Sequence, residues 1–153
     1  MKISIITVCY NSAATIRTAL ESVLRQTWPE VEYWVVDGGS TDGTVDVIRE
    51  YETKFGGRMR WVSEPDRGMY DAINKGIRRA TGDVIGILNA DDVLSDDRVI
   101  ERVAGAFGGS SLVHYCGSAL VGEQGATGNR QSAAGSGISS GIPTLSTNAR
   151  MNS

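Results

Sequence analysis

Short apolar, β-branched runs alternate with segments of helical period from the start of the chain to Phe107. The pattern predicts strands over 2–10, 32–37, 59–63 and 84–88, and helices over 13–25, 44–51 and 69–80. Ile16, Ala19, Leu20, Val23 and Leu24 fall on one stripe of the first helix, which Ser12 is placed to cap and Trp28-Pro29 to stop. A fourth helix is expected, with Ser95 placed to cap it and Val99, Ile100, Val103 and Phe107 toward the core. Strands alternating with helices predict an α/β fold, a mostly parallel sheet with helices on both faces. Ligands of such sheets bind beyond the carboxyl ends of the strands. The turns expected there are GGSTDG (38–43), EPDRG (64–68) and NADD (89–92), all rich in Gly, Asp, Asn or Ser.

The pattern fails after Phe107. Glu123 is the only one of the 18 acidic residues beyond that point, and Tyr115 the only Phe, Trp or Tyr. A stretch so rich in Gly, Ser, Ala and Thr buries too little apolar surface to offset the entropy of ordering. The reading is therefore a folded unit over 1–107 and an atypical, Gly/Ser-rich tail over 108–153, largely flexible, with at most one strand near 112–115. Its composition points to a truncated chain or a shifted reading frame.

Charge and cysteine content narrow the class. A formal net charge of -3 with no basic cluster beyond Arg78-Arg79 argues against a nucleic-acid surface. Cys9 and Cys116 stand far apart with no metal-binding spacing, which favours reduced, buried thiols and a cytoplasmic setting. The opening MKISIITVCYN is too brief and too β-branched for a signal peptide, and no run approaches the roughly 20 apolar residues of a membrane span.

Candidate chemistry collects at the strand ends. Asp91 and Asp92 close the fourth strand, and a hard divalent cation, Mg²⁺ or Mn²⁺, bridging to substrate phosphates would relieve their repulsion. On local sequence alone, solvation of a turn is the simpler account of the pair, because turns commonly collect Asp. Asp37 ends the second strand and could accept hydrogen bonds from a base or ribose, with Gly38 and Gly39 allowing close approach and Ser40, Thr41 and Asp42 serving as contacts or helix caps. Tyr10 could stack on a base and Asn11 fix its edge, or Asn11 and Ser12 could only begin the helix. Asp66, Arg67 and Gly68, followed by Asp71 and Asn74 one helical turn apart, put further polar groups on the same rim.

Taken in order, ISIITVCYNSAATIRTALESVLRQT, EYWVVDGGSTDGT and SEPDRGMYDAINKGIRRATGDVIGILNADD resemble the nucleotide-binding half of family 2 inverting glycosyltransferases of the GT-A fold. The resemblance implies a base pocket lined by Thr7, Val8 and Tyr10, with Asp37 bonded to the base. It puts Asp66, Gly68 and Asn74 in the donor pocket, Asp91 on the ribose and Asp92 on the metal. Asn89-Ala90-Asp91-Asp92 stands in place of a strict Asp-x-Asp, which leaves the division of roles between the two carboxylates open.

The implied reaction moves a sugar, with inversion and metal assistance, from a nucleoside diphosphate donor, a UDP-sugar first among them, to a glycan or lipid-linked acceptor. Polysaccharide biosynthesis is the implied setting. Peripheral membrane association and self-association stay open. The family's general base lies in the acceptor half, and neither Glu123, in VGEQGAT, nor His114 matches its motif. A non-catalytic nucleotide-binding fragment is therefore the rival reading. A dinucleotide oxidoreductase is disfavoured, because CYNSAAT has no glycine where GxGxxG is required.

Overall fold

The computed structural model describes residues 1–108. The tail, with the expected strand near 112–115, His114, Cys116 and Glu123, lies outside the described residues. Four strands, β1 (Ile3–Cys9), β2 (Val31–Asp37), β3 (Met59–Ser63) and β4 (Val84–Ile87), form one sheet in the order β3-β2-β1-β4. Every pairing is parallel. Cys9, Asp37 and Ser63 stand in register across three strands, so the carboxyl ends of the strands share one edge.

The helices α1 (Ile16–Leu24), α2 (Thr44–Lys54), α3 (Met69–Arg79) and α4 (Val99–Phe107) follow the strands in turn. Alternation along the strands divides the core. Ile3, Ile5, Tyr33 and Val35 meet the buried stripes of α1, α2 and α4, while Ile6, Val8, Val36 and Ile87 meet Ala72 and Ile73 of α3. Helices thus cover both faces, as the pattern of runs predicts. Gly76 lets α3 settle on the sheet, since a Cβ there would stand 2.6 Å from Ile6 Cγ2.

Two expected caps are corrected. The hydroxyl of Ser12 does not cap α1: it donates to Tyr10 O, while the Ser12 carbonyl accepts from the amides of Thr15 and Ile16, and the helix begins at Ile16. Ser95 does not cap α4 either. Asp96 Oδ1 accepts from Arg98 N, and Gln26 Oε1, arriving from beyond α1, accepts from Ile100 N at 2.9 Å. Gln26 also donates to Asp96 O, and Leu94 N donates to Ser22 Oγ. The segment after β4 is therefore anchored to the end of α1, which fixes where the NADD turn sits.

Candidate functional site

The ends of β1 and β4 and the start of α3 enclose an open cleft of about 700 Å³. Val8, Tyr10, Asn11, Asp66, Gly68 and Asp91, all singled out from the sequence, line it. Met69, Asn89 and Cys9 line it too, and the sequence reading gave none of these a role. Tyr10 is 61 % exposed where it lines the cleft.

Two further candidates, Thr7 and Asp37, are buried rather than part of the cleft lining. Thr7 is fully buried and shares a hydrogen bond of 2.9 Å with the Tyr33 hydroxyl, inside the core. Asp37, for which the resemblance implies a base contact, is also fully buried. Its Oδ2 accepts from the amides of Gly39 and Ser40 and from the Ser63 hydroxyl, and its Oδ1 from the hydroxyl of Ser40 and the thiol of Cys9. Burial alone would raise the Asp37 carboxyl, but the donors of Ser40, then Ser63 and Cys9, outweigh it and hold the group below the usual carboxylate range. The same proximity acts in reverse on Cys9: burial, then the Asp37 charge, push its thiol well above its ordinary value. A protonated thiol is a poor nucleophile, so Cys9 is an inert part of the wall.

From this buried carboxylate a relay of polar contacts shapes the rim. Asn11 N donates to Ser40 Oγ at 2.7 Å, and Thr41 N donates to Asn11 Oδ1 at 2.8 Å. Asn11 takes a positive φ of 49°, a conformation that asparagine tolerates better than most residues. Asp42 accepts from the amide of Thr44 at the start of α2 and from that of Ala13, so it ties the first loop to the second. Ser40 and Asn11 thus hold the loops in place, and Gly38 lies beneath Asp66.

Asp71 and Asn74 stand outside the cleft lining. Asp71 Oδ2 accepts from Arg67 N at 3.0 Å, and Lys75 Nζ donates to Pro65 O at 2.9 Å while pairing with Glu64 at 3.1 Å. These contacts clamp the 64–68 loop onto α3. The backbone amide of Arg67 is the first cause holding the Asp71 carboxyl below its ordinary range. Asn74 is exposed on α3.

At the NADD turn Asp92 N donates to Asn89 O. Asp91 is exposed and Asp92 half-buried, while Asn89 Oδ1 is buried without a hydrogen-bond donor among the described residues. No cluster of three His, Cys, Asp or Glu among the described residues could hold a metal by itself. The turn fits a different arrangement: its donors are hard oxygens, and Mg²⁺ or Mn²⁺ typically takes one or two carboxylates and completes its shell with phosphate oxygens and water.

Comparison with known proteins gives this geometry its setting. Residues 4–150 match the family model described as Glycosyl transferase family 2. The chain belongs to that family. It is 40 % identical over 105 residues to a PGL/p-HBAD biosynthesis glycosyltransferase of Mycobacterium bovis (strain BCG / Pasteur 1173P2), covering 69 % of this chain and 41 % of that protein. An uncharacterized glycosyltransferase of Nostoc sp. is 36 % identical over 113 residues, covering 74 % of this chain and 35 % of the relative. The chain therefore spans well under half the length of these relatives.

Among solved structures, S. aureus TarS 1-349 in complex with UDP-GlcNAc superposes with a TM-score of 0.64 at 27 % identity, over 71 % of this chain and 31 % of that one. The mannosyltransferase PcManGT from Pyrobaculum calidifontis, in complex with GDP-Man and Mn²⁺, gives 0.65 at 27 % identity, over 78 % and 35 %. These neighbours are of the GT-A fold, the fold the sequence resemblance implies.

Proposed function

We propose that the cleft binds a nucleoside diphosphate sugar, a UDP-sugar first, and that this family 2 chain serves transfer of the sugar to an acceptor hydroxyl with inversion. The observation that carries the reading is the convergence of Tyr10, Asp66 and Asp91 on one cleft at the carboxyl ends of parallel strands. Tyr10 offers a face for the base. Asp91 and Asp92 would hold Mg²⁺ or Mn²⁺, which when bound neutralises charge on the departing diphosphate. In the reaction the bond from the anomeric carbon to the diphosphate oxygen breaks as the acceptor oxygen bonds from the opposite face, and a general base takes the acceptor proton. Solved neighbours holding UDP-GlcNAc or GDP-Man with Mn²⁺ support this reading.

Titration of the purified chain with UDP, with and without Mn²⁺, tests it. Metal-dependent binding that is lost in Asp92→Ala is expected. A folded chain that binds no nucleoside diphosphate would overturn the reading.

A second reading, nucleotide binding without transfer, draws on Glu123 and His114, neither of which stands in the motif expected of the general base. Transfer or hydrolysis of a labelled sugar from UDP-sugar by the purified chain would exclude it.

A further inference from the structure

Two carboxylates stand where a base would be read, and the structure puts them in opposite situations. Asp37 is fully buried, and both its oxygens are already engaged by five donors. A carboxylate has about four lone-pair sites, so nothing remains to point at a ligand. Asp66 lines the cleft. Its Oδ1 accepts from Gly68 N at 2.9 Å, and its Oδ2 has no hydrogen-bond partner among the described residues.

Gly38 leaves the room in which that oxygen sits. A Cβ at position 38 would stand 2.7 Å from Asp66 Oδ2 and 3.3 Å from Asp66 Cγ. Gly38 is not among the residues of positive φ, unlike Gly39, so its backbone does not require a glycine. A side chain there would instead push the Asp66 carboxylate from its present place. The 64–68 loop is further fixed by Asp71 and Lys75, so the oxygen is positioned before any ligand arrives.

We infer that Asp66 rather than Asp37 reads the nucleobase, accepting through Oδ2 a hydrogen bond from a ring N–H, and that this selects uracil over cytosine. The inference rests on the nucleotide-binding reading given above. Uracil carries a donor at N3, whereas cytosine of nearly the same size carries a lone pair there, which would face the lone pairs of the carboxylate. Asp37 is a positioning residue in this scheme, aligning the loop through Ser40 and Asn11.

The test is calorimetric titration, in Mn²⁺, with UDP, CDP and N3-methylated UDP. The wild-type chain is expected to bind UDP roughly tenfold or more tighter than either analogue, the penalty of an unmade hydrogen bond to a charged group. In Asp66→Asn, whose amide can present an N–H instead, the preference for UDP over CDP falls to near unity or inverts. Gly38→Ala, which displaces the carboxylate without removing it, reduces the same ratio. Circular dichroism confirms that each variant is folded. If UDP binds but its ratio to CDP is unchanged in both folded variants, the inference is overturned and the nucleotide-binding reading stands. A folded wild-type chain that binds no nucleotide overturns both.

Discussion

The Ser63 hydroxyl donates to Asp37 Oδ2 at 2.7 Å, between two residues that are register partners at the ends of β3 and β2. This contact closes the ring of donors around a carboxylate with no exposed surface. Deleting the carboxylate leaves the Gly39 and Ser40 amides and the Ser63 hydroxyl without their acceptor, so Asp37→Ala should cost about 3 kcal/mol or more in stability. Ser63→Ala removes one donor from a carboxylate that keeps the others and should cost about 1 kcal/mol. Denaturant unfolding of the two variants measures the difference. Equal, small losses would show that Asp37 is not the anchor of this loop.

Glu32 anchors the opposite edge of the sheet. Its Oε2 accepts from Ser4 Oγ and Thr81 N, its Oε1 from Thr81 Oγ1, and Lys2 Nζ lies 3.4 Å away. Burial would raise the Glu32 carboxyl, but the hydrogen bonds of Thr81 and Ser4, with the Lys2 charge, hold it down to about 2 against an ordinary value of 4.5. A folded-state value below the unfolded one means the stabilisation is fully present above pH 4.5 and is lost as pH falls toward about 2. The displacement corresponds to about 3 kcal/mol at neutral pH. The stability gap between wild type and Glu32→Gln, followed by denaturant unfolding across pH, should hold steady from neutrality to 4.5 and narrow below it. A gap independent of pH would refute the assignment.

The approach of the 81–83 turn to β1 is equally close. A Cβ on Gly82 would stand 2.6 Å from Ser4 Oγ, 2.7 Å from Ser4 N and 2.9 Å from Lys2 O, and two of these are backbone atoms that cannot rotate away. Gly82→Ala must therefore shift the start of β4 or break the Gly82 N to Ser4 Oγ hydrogen bond, and is expected to cost about 2 kcal/mol or more. Gly105, inside α4, has nothing within 4 Å of its Cβ position. Gly105→Ala should instead stabilise by about 0.5 to 1 kcal/mol through helix propensity. Thermal unfolding of the pair reads opposite signs from the same chemical change.

These contacts mark how far the sequence was legible. The strands and their order of alternation could be read because apolar, β-branched runs are bounded by Gly and Asp turns, a local signal. The starts of α2 at Thr44 and α3 at Met69 were legible too, but the cap of α4 was not, because the group that satisfies it comes from elsewhere: Gln26 reaches Ile100 N across 74 residues. Helix α2 runs to Lys54, beyond the expected end at Tyr51, and the Lys54 ammonium lies 4.4 Å from the Tyr51 ring centroid and 3.6 Å from Glu50. At the site, Tyr10 and Asp91 were legible as strand-end residues. The different surroundings of Asp37 and Asp66 were not, since they turn on which carboxylate finds donors from Ser40 and Ser63 and which lines the cleft.

Tyr10 provides the cleanest separation of binding from stability. Its ring is 61 % exposed at the cleft mouth, so removing it uncovers little core, and Tyr10→Ala should change the melting temperature hardly at all. A base stacked on an aromatic ring gains about 1 to 3 kcal/mol, so the same variant should bind UDP in Mn²⁺ roughly tenfold to a hundredfold more weakly. Tyr10→Phe retains the face and should bind as wild type does. If Phe loses as much as Ala, the hydroxyl rather than the ring makes the contact, and the base does not stack at the end of β1. If neither substitution changes the affinity, the base lies away from Tyr10, deeper along the wall that Val8 and Asp66 share.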